Sequence, residues 1–99
     1  MAALRQLIDT LGDEIVKLPL GEQRSHLVQQ QEKLQDELDE LVQKNVKTDT
    51  PKYQSAIAKL EGANQALVAA HQDVQQVAAT ISKIAEVIGV LAEIAASAP

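Results

Sequence analysis

The sequence predicts an all-α fold: an elongated antiparallel helical hairpin of coiled-coil type, with one long C-terminal helix at about 50–97 covered by two shorter helices at about 3–17 and 22–46. Three observations carry this. Tyr53, Leu60, Leu67, Val74, Ile81, Ile88 and Ala95 recur at every seventh residue, the repeat that keeps one apolar seam on one side of a helix. The apolar fraction is 45% but the aromatic fraction only 1%, so Ala and Leu at close helix–helix contacts must replace a broad aromatic core. Finally, the helix-breaking residues gather at Leu18-Pro19-Leu20-Gly21 and between Asn45 and Pro51, leaving long stretches uninterrupted. A chain of 99 residues holds one domain.

In the first helix Leu4, Leu7, Ile8, Leu11 and Ile15 follow i, i+3, i+4, i+7 spacing, with Arg5, Asp9, Asp13 and Lys17 on the opposite side. Gly12 costs it about 1 kcal/mol relative to Ala, so it leans on a partner. Pro19 drives Leu18 out of helical geometry, and Gly21 completes a hinge near 18–21. In the second helix Leu20, Leu27, Leu34 and Leu41 repeat by seven. Gln31 and Asn45 stand on the same seam, where polar residues either fix register or lie at a wet edge. Around the turn near 46–50, Asp49 or Thr50 caps the third helix and Pro51 takes its first position, where no N–H partner is lost.

The third helix reads as unbroken to Ser97, about 70 Å long. Its first half has a narrow apolar face with Ile57, Asn64 and His71 beside the seam. Its second half widens through Val77, Ile81, Ile84, Val87, Ile88, Leu91 and Ile94. A short connection makes the second and third helices antiparallel neighbours, setting Leu41 near Ile57, Leu34 near Asn64 and Leu27 near His71. The first helix then continues along the wide half, Leu11 and Leu4 meeting Val87 and Ile94. The alternative folds the first helix back on the second and leaves the C-terminal half bare, a large apolar surface for a soluble monomer. Because one helix covers only part of the wide face, Val77, Ile81, Ile84, Ile88, Leu91 and Ile94 are expected to join copies into a homodimer or higher oligomer.

A net charge of −5 and the lack of stacking aromatics argue against nucleic acid. With no cysteine there is neither a disulfide framework nor a thiolate metal site or nucleophile. Arg5, Asp9, Asp13 and Glu14 interrupt any secretory-signal core, and Lys83, Glu86 and Glu93 interrupt the most apolar stretch short of a membrane span. Cytoplasmic location is the default. Glu22 and His26 share a face at i, i+4, but two further metal ligands would have to come from elsewhere. His71 reads as a packing residue. No serine stands in a nucleophile elbow and no glycine-rich phosphate loop occurs. No enzyme activity, metal or cofactor is expected.

The most distinctive polar feature is an acidic run, with Glu32, Asp36, Asp39 and Glu40 as a strip for a basic protein partner and Glu37 within it. The plainer reading is a solvated face that keeps the chain soluble. Residues 77–97 carry one Lys, two Glu and no aromatic, a poor match to interfacial membrane helices, so membrane contact is the weaker expectation. The outline, two helices about Asp49-Thr50-Pro51, resembles that of secreted helical hairpins and type III needle subunits; the needle W-x-G is missing and no family is assigned. The expected function is therefore a non-enzymatic, oligomeric coiled-coil protein acting by protein–protein binding, as an adaptor, chaperone or immunity/antitoxin-like protein. The alternative is a structural subunit of a secretion, phage or pore-forming assembly that uses the 77–97 face.

Overall fold

Four helices account for most of the chain: α1 (Ala2–Ile15), α2 (Glu22–Gln43), α3 (Pro51–Ala69) and α4 (Val74–Ser97). A computed structural model describes residues 1–70 and 73–97. The all-α expectation holds, and α1–α2 and α3–α4 are each helical hairpins packed into one bundle.

The single long C-terminal helix is corrected to two. α3 ends at Ala69 and α4 starts at Val74. The Asp73 N–H donates to the Ala70 carbonyl at 2.8 Å, closing the corner. Asp73 then caps α4, its Oδ1 accepting from the N–H groups of Gln75 at 3.0 Å and Gln76 at 3.3 Å. These bonds satisfy amides that the first turn of a helix leaves without partners. His71, expected on the seam, lies outside the described residues.

The fold-back shortens the molecule to 42 Å along its longest axis, against about 70 Å for the unbroken helix. α4 returns along α3, and Lys52 Nζ at the start of α3 meets Glu93 Oε2 near the end of α4 at 2.8 Å. α4 also lies parallel to α2. Gln30 Nε2 donates to the Ile81 carbonyl at 2.9 Å and Lys44 Nζ to the Ala95 carbonyl at 2.7 Å, each spanning 51 positions. α1 packs on α2 and α3. Gln31 Nε2 reaches the Ile8 carbonyl at 3.2 Å, and Asn64 Nδ2 reaches that of Leu7 at 3.0 Å.

Among the described residues α1 and α4 do not run side by side, and neither do α2 and α3. The expected α2–α3 pairing is therefore corrected: these two are diagonal, and the connection between them crosses the end of the bundle. Nor does α1 run along the wide face of α4. The folded-back alternative is half right, since α1 does return along α2, but α4 does not project bare. It occupies the position between α2 and α3.

Local chemistry supports the crossing turn. Asn45 adopts φ 56°, a left-handed conformation that Asn tolerates better than most residues. Val46 N–H reaches back to the Leu41 carbonyl at 3.1 Å and Asn45 N–H to that of Val42 at 3.1 Å, which satisfies carbonyls exposed at the helix end. Asn45 is thus a helix terminator, not a seam residue. Thr50 Oγ1 accepts from the Tyr53 N–H at 3.3 Å, with Pro51 in the first turn as expected.

The core runs the length of the bundle: Leu4, Ile8, Leu11 and Ile15 from α1, Leu27, Leu34, Leu38 and Leu41 from α2, Leu60 and Leu67 from α3, and Ile84, Val87 and Leu91 from α4. Ala56, Ala63 and Ala95 are also buried. The chain's one aromatic residue, Tyr53 of α3, is buried in the same core.

Candidate functional site

α2 carries the expected acidic strip, and its four sides have four different surroundings. Leu27, Leu34, Leu38 and Leu41 point into the core. Gln31 is bonded to α1, and Gln30 and Lys44 are bonded to α4. What remains is the outward stripe, where Glu32, Asp36 and Asp39 are exposed and Glu40 is half-buried. The 3.6-residue turn puts Glu32, Asp36 and Asp39 on one line about 10 Å long.

Two strip residues have local partners. Asp39 Oδ1 accepts from Gln35 Nε2 at 3.1 Å, and Glu40 Oε1 pairs with Lys44 Nζ at 3.4 Å. Glu37, within the acidic run, is half-buried, and its Oε2 is shielded from water without a hydrogen-bond partner. Burial, then the charges of Glu40 and Asp36, push its carboxyl above the ordinary value of 4.5. Nearby like charges, Asp36 next in the chain and Glu40 about one turn on, oppose ionisation in the same direction as desolvation.

The six apolar residues expected to join copies are placed differently. Val77, Ile84 and Leu91 are buried in the chain's own core, while Ile81, Ile88 and Ile94 are half-buried against it. The expectation of an interface there assumed a straight helix covered on one side only. With α2 and α3 both packed on α4, part of that face is covered from within the chain, while Ile81, Ile88 and Ile94 stay partly exposed.

His26 and Glu22 are both exposed. Among the described residues no three His, Asp or Glu side chains come together in a way that could hold a metal ion. Among them, too, no helix is long and apolar enough to cross a membrane.

Two features escaped the sequence reading. Gln30, Glu37 and Lys44 form a second seven-residue series along α2 and its C-cap, offset from the leucine seam, and its two end members bond to α4. It was legible as a polar repeat, but only the placement of α4 gives it meaning. The other is a groove of about 460 Å³ where α2 ends, α3 begins and α4 ends, lined by Lys44, Val46, Lys47, Thr50, Lys52 and Ile94. Two of its lysines are engaged: Lys44 with Glu40 and the Ala95 carbonyl, Lys52 with Glu93. No protein-family model, curated protein or solved structure matches this chain.

Proposed function

We propose that this chain is a non-enzymatic, cytoplasmic binding protein of the adaptor, chaperone or immunity type, whose α2 outer strip engages a basic protein partner. The observation that supports the reading is the exposure of Glu32, Asp36 and Asp39 on one line of a helix whose other sides are held by core leucines and by bonds to α1 and α4. A strip held on a braced helix presents its charges without further ordering, which lowers the entropic cost of association. Acidic side chains at such a surface act chiefly by steering and by selecting partners of opposite charge.

The test is titration of the ¹⁵N-labelled protein with a lysine-rich peptide, wild type against the pair Glu32→Lys and Asp36→Lys. Amide shifts confined to the outward side of α2, weakened by salt and abolished in the variant, would support the reading. Equal shifts in the variant, or shifts spread over all four helices, would sink it. Circular dichroism of the variant should be unchanged, since both side chains point into water.

A further inference from the structure

Along the α2–α4 seam the side chains of α2 address the backbone of α4 at a fixed interval. Gln30 donates to the Ile81 carbonyl and Lys44 to the Ala95 carbonyl, both across 51 positions. Ile81 and Ala95 are two heptads apart, as are Gln30 and Lys44, so the register is constant between them. The residue midway on α2 is Glu37, and the same register places it opposite Ile88. At this rung the side chain is a carboxyl, and its Oε2 is shielded from water with no partner. A carboxylate has no proton to offer a carbonyl; a carboxylic acid has one.

We propose that Glu37 is a proton-dependent clamp between α2 and α4, donating to the Ile88 carbonyl when protonated and releasing it when ionised. The proton comes from solvent and is bound by the carboxyl, so the rung closes as pH falls.

The surroundings favour the closed form. On α2, Asp36 and Glu40 flank Glu37, and Glu40 is itself bridged to Lys44. Lys33, one turn earlier, is exposed. On α4 the charged side chains turn to the other flank: Lys83 and Glu86 line a groove with Lys59 and Gly62 of α3, and Glu93 pairs with Lys52. None of the described α4 cations is therefore placed to hold Glu37 ionised. The sign follows from the direction of the shift. A carboxyl raised above its unfolded value adds stability that is complete below about the ordinary 4.5 and is lost as pH rises through the raised value.

Glu37→Gln places at this rung the amide that Gln30 uses one heptad earlier. Its melting temperature at pH 7 should exceed wild type by about 4–8 °C, the shift that one added hydrogen bond gives a chain of this size. The gain should disappear below about pH 4, where wild type is itself protonated. In wild type, the Ile88 carbonyl ¹³C resonance should titrate with the Glu37 side chain at one midpoint, while that of Ile81 stays still. A Glu37→Gln variant no more stable than wild type at pH 7 overturns the proposal, as does an Ile88 carbonyl that ignores Glu37. An equal gain from Asp36→Asn would overturn it too, since relief of repulsion would then suffice.

Discussion

Gly12 offers a sharp test of the packing. Replacing a glycine inside a helix by alanine ordinarily stabilises it by about 0.8–1 kcal/mol. At Gly62 and Gly89 a Cβ would meet open space, so each should realise that gain and raise the melting temperature by about 4–8 °C. At Gly12 a Cβ would collide with Gln31 Nε2 and press on Gln31 Cδ at 3.2 Å. That amide holds the Ile8 carbonyl across the α1–α2 seam. The Gln31 side chain can swing aside, but only by giving up a bond whose net contribution is about 0.5–1.5 kcal/mol. The two effects therefore cancel, and Gly12→Ala should change stability by less than about 0.5 kcal/mol in either direction. The assay is urea unfolding of all three alanine variants, followed by a double-mutant cycle with Gln31→Ala. In the Gln31→Ala background Gly12→Ala should recover the full helix-propensity gain, and the difference measures the coupling. If Gly12→Ala alone stabilises as much as Gly89→Ala, the amide does not occupy that space and the α1–α2 contact is wrongly described.

Ile84 is fully buried, so Ile84→Ala should cost about 2–5 kcal/mol, measurable as a lower urea midpoint, and Ile84→Asp should abolish cooperative unfolding. With Val77, Ile84 and Leu91 covered from within, wild type should sediment as a monomer at micromolar concentration; a stable dimer broken by Ile88→Asp would restore the interface first expected from the repeat. Asn45→Val forces a β-branched residue into φ 56° and should cost about 1–2 kcal/mol, whereas Asn45→Gly should be nearly silent in the same melts. The hydrogen bond and charge of Lys52 hold the Glu93 carboxyl below its ordinary value. Lys52→Met should return it to that range by side-chain NMR titration and leave the melting temperature almost unmoved, because the pair is exposed.

The helical content, the break around 18–21 and the Thr50-Pro51 start of α3 were legible in the sequence because each rests on short-range chemistry. Apolar spacing along one helix, a proline without an N–H and a hydroxyl able to cap an amide all act within a few residues. The acidic strip was legible for the same reason, since outward position follows from the leucines on the opposite side. The corner before α4 was also written locally, as Asp73 followed by Gln76 three residues later, but an apolar repeat running unbroken through Leu67, Val74 and Ile81 concealed it. Two helices that each face a bundle interior share the same period, and equal phase on either side of a corner carries no information about the corner. Which helices became neighbours was decided only by tertiary structure. A seven-residue repeat states that a helix has an apolar side, and it is silent on what covers that side. Folding α4 back between α2 and α3 buries Val77, Ile84 and Leu91 without a second chain, and it brings the Gln30 and Lys44 side chains onto carbonyls of α4.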